Sequence, residues 1–350
     1  MRPHVVVAVV FTAVASAQQT PATDSERVAG LLRQGDPLVD GKLGSELLGS
    51  GALDDAIRAV ARSEAMERVV RLRALRLVRA LDLAAGIRAS ARHDLAWWLA
   101  LHEIRREVPE AVAAALVKRA FADASVGSAA SKELDATTEV ANRFCTEWNE
   151  TRDANNAAIA AKYDALEAEL KKSAPAVVPA MFSLLSVPPS TAFSGPRDGQ
   201  PVTARQQVRA ILGLASVLEL DAALPFFVMH TAGPSLTQSS NAALAVQRFS
   251  GESFGASFMA EGDEAALLDW WRKHSAEHRV VLDYIHHRTL QWARAAIEST
   301  PRSAADSAWG AITSLLRAVG DARDVRLEGS VEAMRARLDE IELAWLLAPR

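Results

Sequence analysis

Apolar residues recur at intervals of three and four along most of this chain, the spacing that places them on one face of an α-helix. In the N-terminal third, Leu53, Ile57 and Val60 follow this spacing, and residues 65–84 repeat it. No segment of the sequence shows the strict alternation of apolar and polar residues that is typical of a half-buried strand. The pattern therefore predicts an all-α protein that begins with an N-terminal helical region, residues 18–127.

A different pattern occupies residues 128–172, which contain neither glycine nor proline. Apolar residues such as Phe144 and Leu166 keep the helical spacing, which predicts one long amphipathic helix or two collinear helices. Thr151 and Asn155 interrupt this apolar stripe with polar residues, so a kink or break there is the alternative to a continuous helix. We expect this segment to pack within the monomer, and a dimeric coiled coil is the alternative.

A paired pattern begins at residue 174. Residues 178–182 combine a proline with apolar neighbours, and residues 224–228 do so again 46 residues later. A second predicted helix follows each of these segments, at residues 203–217 and 238–250. The sequence therefore predicts two consecutive helical hairpins.

The stretch from 174 to 274 resembles the HEAT-repeat proteins, in particular the exported bacterial kind, which have two helices in about 40 to 47 residues. The resemblance implies an α-solenoid-like stack of hairpins with a tryptophan-rich cap that serves as an interaction scaffold, and it supplies no catalytic residues. The residues that carry it are the Leu224-Pro225 start, Ala243-Leu244 in the second helix, the stop at Arg248-Phe249-Ser250-Gly251, the Phe254-Gly255 turn, and Trp270-Trp271 with His274.

Only two repeat units are visible in the sequence, whereas an independent array needs about three. The flanking segments must then supply the missing stacking surface. We expect the long helix of residues 128–172 to lie on one side of the repeats. A helical region at residues 275–350 is expected to form a bundle on the other side.

The first residues have the pattern of an export signal. Arg2 precedes a largely apolar run, Val5 to Val14, in which Thr12 is the one polar residue, and the small residues Ala15, Ser16 and Ala17 follow it. The run is shorter than the roughly 20 residues that span a bilayer, so we predict a signal peptide, residues 1–17, that is cleaved after Ala17. The mature chain is then periplasmic or secreted, and no later stretch of it is expected to span a membrane.

Charge changes this picture only locally. The net charge of −4 is small, so no global field attracts nucleic acid. Arg68, Arg71, Arg76 and Arg79 fall on one side of a predicted helix, where guanidinium groups could bind an anionic glycan or lipid headgroup. Acidic residues are interspersed among them, and a solvated face of ion pairs is the alternative.

A second candidate site is rich in histidine. His274 and His278 are four residues apart, as are Asp283 and His287, and this spacing lets two side chains on one helix share a metal ion. A metal-dependent enzyme is one hypothesis that follows. A polar helix junction is the other, because the sequence has no HExxH glutamate.

Together these features predict an exported, non-enzymatic binding or scaffolding protein that presents a helical-repeat surface to a protein or peptide partner. No cofactor is expected, and the oligomeric state stays open. The metal-dependent enzyme and the arginine-lined module for anionic glycans or lipids are the alternatives.

Overall fold

The structure is a computed structural model that describes most of the chain. Within the described residues every regular element is helical, so the prediction of an all-α fold is confirmed. The predicted signal peptide, residues 1–17, lies outside the described residues. These are 23–49, 51–89, 94–106, 108–121, 123–151, 157–185, 204–231, 236–254, 261–299, 312, 316 and 327–348.

Six helices form the N-terminal part around one apolar cluster. The first is fixed by a capping box in which the Thr23 hydroxyl accepts from the Glu26 N–H and the Glu26 carboxylate accepts from the Thr23 N–H. At the centre, Trp97 and Trp98 are fully buried and meet edge to face at 4.8 Å. The helices are α1 (Asp24–Gln34), α2 (Gly41–Leu48), α3 (Asp54–Arg62), α4 (Arg68–Ala89), α5 (Leu95–Arg106) and α6 (Glu110–Ala120).

The segment expected to be one long helix is instead a helical hairpin of α7 (Ala124–Thr151) and α8 (Ala157–Lys172). Arg143 reaches Glu169 at 3.9 Å and Lys162 reaches Glu147 at 3.7 Å, so the two helices run antiparallel. The prediction of a continuous or collinear helix is therefore wrong, and the alternative of a break near Thr151 is confirmed, since α7 ends at that residue.

The reason is that the apolar faces of α7 and α8 pack against each other, which requires the chain to reverse between them. Phe144 lies 4.5 Å from Tyr163 across this contact, measured between ring centroids. Helix α7 also contributes Ala130 and Leu134 to the N-terminal cluster, so the expected domain boundary at 127 falls inside a helix that belongs to both parts.

The two predicted repeat hairpins appear as separate helices around a second apolar cluster. Helix α10 packs against α7, α9 and α12, and α11 packs closely against α12. Phe182 of α9 meets Phe226 of α11 edge to face at 5.6 Å. The helices are α9 (Ala174–Leu185), α10 (Ala204–Val217), α11 (Leu224–Thr231), α12 (Leu236–Ser250) and α13 (Glu261–His274).

The tryptophan-rich end of the repeat lies in this same cluster. Helix α12 stops at Gly251, whose φ of +70° is the left-handed conformation that glycine adopts without strain. Phe254 then packs against Trp270 at 5.6 Å, and Trp271 is completely buried. These aromatic side chains cover part of the apolar interior of the repeat.

Helix α14 (Arg279–Ser299) joins the repeat to a third apolar cluster. Its first half buries Tyr284 and Ile285 in the repeat core, and its second half buries Leu290 and Ile297 against α15 (Val331–Leu347). Helix α15 also contacts α4 of the N-terminal part. None of the helices in the described ranges is long and apolar enough to cross a membrane.

One tight contact tests the packing of α7 against α10. A Cβ added at Gly213 would lie 2.6 Å from the Trp148 indole, whereas a Cβ at Gly86 in α4 would meet no atom within 4 Å. We expect Gly213→Ala to lower the free energy of unfolding by about 1–3 kcal/mol through overpacking. Gly86→Ala, the matched control, should raise it by about 0.5–1 kcal/mol through helix propensity. Urea unfolding measures both, and equal stabilities of the two variants would contradict this packing.

Candidate functional site

The most unusual part of the molecule is a set of charged side chains buried where α4, α5, α14 and α15 meet. Helix α4 supplies Arg76 and Arg79, which lie on one side of the helix because they are three residues apart. Their partners come from elements that are distant in sequence. We call this set the buried ion network.

Arg79 and Glu103 form the most buried pair of the network. The guanidinium donates through Nε and Nη2 to the two carboxylate oxygens, each at 2.8 Å, and the side chains are 9% and 6% exposed. Nη2 also donates to the carbonyl of Asp283 at 3.3 Å. Burial alone would raise the pKa of Glu103, but the charge of Arg79 outweighs it and lowers that pKa.

Glu342 of α15 is held between two arginines. Arg76 donates to its Oε2 through Nε at 3.0 Å, and Arg294 donates to the same oxygen through Nη2 at 2.7 Å. Both guanidinium groups also donate to Asp339, and Arg76 pairs with Asp36 in the α1–α2 connection. Burial would raise the pKa of Glu342, but Arg76 and Arg294 outweigh it and lower the pKa to about 2.

Two adjacent histidines of α14 border these pairs. Burial lowers the pKa of both below the ordinary histidine value, so their rings are neutral at pH 7. His287 Nε2 lies 3.5 Å from Glu103, and this contact is therefore not an ion pair at neutral pH. His286 stacks on the Trp345 indole with ring centroids 4.1 Å apart, which ties α14 to α15.

The network encloses little free space. A cavity of about 10 Å³ lies among Arg76, Arg79, Glu103 and His287, enough for one water molecule. Nearby, the Tyr284 hydroxyl and His102 Nδ1 are hydrogen bonded at 2.6 Å, and burial raises the pKa of this phenol. Because each buried charge faces an opposite charge, this arrangement is suited to holding helices together.

The four arginines expected to line one anion-binding side have separate roles. Arg68 makes an exposed ion pair with Glu340 at 3.2 Å, and Arg71 donates to the carbonyl of Ala61 at 3.1 Å. Arg76 and Arg79 are buried in the ion network. The structure therefore does not present the four guanidinium groups as one surface.

The four residues proposed as metal ligands are also separated. A 3₁₀ turn at 275–278 interrupts the helix, which breaks the expected four-residue register of His274 and His278. His274 Nδ1 lies 2.8 Å from the Trp270 carbonyl, and the His278 ring packs over Trp271 at 5.5 Å.

Asp283 and His287 belong to the buried ion network instead. The Asp283 carboxylate accepts from the Trp345 Nε1 at 2.9 Å and lies 3.2 Å from Arg279. Across the described ranges, no group of three or more His, Cys, Asp or Glu side chains is placed to hold a metal ion.

Sequence reasoning placed Glu103 among the acidic residues that could pair with these arginines, but on a solvated face, and it missed Glu342. The burial of Glu103 has a signal in the sequence, since it is a lone charge in the apolar segment between Trp97 and Ile104. A buried charge of this kind requires a partner of opposite sign. Glu342 has a weaker signal, because α15 carries three other acidic residues, Glu332, Asp339 and Glu340, that are exposed or partly exposed.

Comparisons of this chain with protein-family models, with curated proteins and with solved structures gave no match.

Removing one partner of the central pair should be costly, because the other charge stays buried. We expect Glu103→Gln to lower the free energy of unfolding by about 3–5 kcal/mol. The matched control is Glu67→Gln, which removes an exposed ion pair to Arg33 and should change it by less than about 1 kcal/mol. Chemical denaturation followed by circular dichroism measures both. A loss for Glu103→Gln no larger than the control would contradict the importance of the pair.

The same network makes stability depend on pH with a defined sign. His286 and His287 have folded-state pKa values below the ordinary histidine value of 6.5, so the unfolded chain binds protons first as pH falls below 6.5. Glu103 and Glu342 have pKa values below 4.5, and their contribution is lost between 4.5 and about 2. Stability should therefore fall in two stages below pH 6.5.

Denaturation midpoints measured from pH 8 to pH 3 test this expectation. His286→Phe keeps an aromatic ring against Trp345 and removes one titrating group, so it should weaken the first stage and leave the second in place. An unchanged pH profile in this variant would contradict the assignment.

Proposed function

We propose that this chain is an exported, non-enzymatic binding or scaffolding protein that uses the surface of its helical hairpins to bind a protein or peptide partner. Export is inferred from the signal-peptide pattern of residues 1–17. The observation that supports a scaffold is the packing of α10 from the first hairpin against α12 from the second. This is the neighbour relation from which solenoid-like arrays are built.

Helix α12 offers the surface that this proposal needs. Leu244 is 63% exposed, although its neighbours Ala243 and Ala245 are buried. One turn later on the same face, Arg248 is exposed and makes an ion pair with Glu219 at 2.6 Å. An exposed leucine beside charged side chains resembles the mixed apolar and polar composition of protein interfaces.

The buried ion network, which lies in the interior of the molecule, also supports the proposed scaffolding function. Its carboxylates and guanidinium groups link α4 and α5 to α14, and α14 packs in turn against α11 of the second hairpin. A rigid support of this kind lowers the entropy lost when a partner binds, because little of the surface has to become ordered.

The two alternative functions have less support. A metal-dependent enzyme would require convergence of His274, His278, Asp283 and His287, and each of these side chains has its own partners. An anion-binding module on α4 would require Arg76 and Arg79 to be accessible, and both are in carboxylate pairs.

Site-specific photo-crosslinking tests the interaction surface. A benzophenone amino acid is placed at Leu244 in the full chain and irradiated in the producing cell. We expect a discrete high-mass adduct, because an exposed apolar residue at the centre of an interface lies within reach of the partner. Gel mobility and mass spectrometry of the adduct identify what was bound.

The matched control carries the same amino acid at Val39, which is 77% exposed in the connection between α1 and α2. Position 39 should give no discrete adduct. The same adduct at both positions, or none at position 244, would overturn the proposed surface.

A further inference from the structure

A second surface feature lies on the other side of α4, away from the ion network. It is a cleft of about 400 Å³ between α3, α4 and α6. Clefts of roughly 300–1,000 Å³ are the size that holds small organic ligands. We call it the α3–α4–α6 cleft.

The polar walls of the cleft are mostly cationic. Arg58 of α3, Arg88 of α4 and Arg119 of α6 line it together with a single carboxylate, Asp54. Three positive charges in the lining face one negative charge, and Asp82 beside Arg58 reduces the net charge of this region to +1. Arg119 is paired with Asp54 at 2.7 and 2.9 Å, which orients that guanidinium group.

Arg58 and Arg88 are the cations best placed to meet a ligand. Arg58 pairs with Asp82 at 2.7 Å, and both side chains are partly exposed. Arg88 is exposed and donates to the carbonyl of Arg119, which is a neutral acceptor. An oxyanion could therefore accept from Arg88 without displacing a carboxylate from it.

The remaining lining is apolar and made of small residues. Leu81 and Ala84 are buried at its base, and Ala85 and Ala89 lie on the same side of α4 and are exposed. Alanine side chains leave room beside the arginines, so the cleft combines an apolar floor with cationic walls.

We propose that the α3–α4–α6 cleft binds a small organic oxyanion, with its carboxylate, sulfonate or phosphate group at Arg58 and Arg88 and its apolar body against Ala85 and Leu81. Guanidinium groups bind all three kinds of oxyanion through paired N–H donors. The apolar floor excludes a free inorganic ion as the preferred ligand, because such an ion cannot gain from apolar contact. This inference is independent of the surface proposed at Leu244.

Isothermal titration calorimetry of the full chain at low ionic strength tests the proposal with defined probes. Benzoate, benzenesulfonate and phenyl phosphate each carry an aromatic ring and a different oxyanion, and the tightest of the three identifies the preferred group. Benzamide has the same ring without charge, and inorganic phosphate has charge without a ring. We expect at least one aromatic anion to bind about tenfold more tightly than either of these two probes.

Two variants locate the site. Arg88→Gln removes a guanidinium group and should weaken binding about tenfold, as expected for the loss of a charge-assisted hydrogen bond. Ala85→Trp fills the cleft without changing its charge and should abolish binding. Because Arg88 and Ala85 are exposed, both variants should keep the helical circular dichroism and unfolding midpoint of the parent chain.

The matched control is Arg33→Gln, which removes an exposed arginine paired with Glu67 outside the cleft. It should bind the aromatic anion as the parent chain does. The proposal is overturned if none of the aromatic anions binds, if benzamide binds equally well, or if inorganic phosphate binds as tightly as phenyl phosphate. Undiminished binding by Ala85→Trp would also overturn it.

Discussion

The buried pair of Arg79 and Glu103 is the interaction on which the rest of this structure depends. A lone charge in an apolar interior is strongly unfavourable, so either residue could occupy its place only with the other present. The bidentate geometry, with two contacts of 2.8 Å, also fixes the relative orientation of α4 and α5. The pair therefore acts as a constraint on which helices can be neighbours.

Further ion pairs connect this region to α15, because Arg76 and Arg294 both donate to Glu342. Helix α15 in turn contributes to the third apolar cluster. Helix α14 takes part in the repeat core with its first half and in the C-terminal cluster with its second half. Its middle faces the buried charges. The three clusters are thus connected by shared helices and by ion pairs, and the hairpins from α9 to α12 have packed neighbours at α7 and α14. These two hairpins are supported in this way by helices on both sides.

Much of the helical pattern could be predicted from spacing alone, because burial on one face leaves a clear period in the sequence. The second helix of the first hairpin, predicted at 203–217, is observed at Ala204–Val217. The reversal between α7 and α8 could not be predicted in this way, since two antiparallel helices that pack on each other have the same apolar period as one long helix. The pairing of Arg76 and Arg79 with particular carboxylates could not be predicted either, because a single sequence does not say which acidic residue lies beside a given arginine.

The placement of Glu342 has a consequence for the order in which the molecule can be completed. Arg76 is separated from it by 266 positions, so this arginine is made long before Glu342, although its other partner Asp36 precedes both. Contacts of such high sequence separation form late, since the intervening chain must first be ordered. Until α15 docks, Arg294 lacks both Asp339 and Glu342, and Arg76 has only Asp36 of its three carboxylate partners. Docking of α15 thus completes this junction. A growing chain that still lacks α15 leaves Arg76 and Arg294 without their partners on that helix.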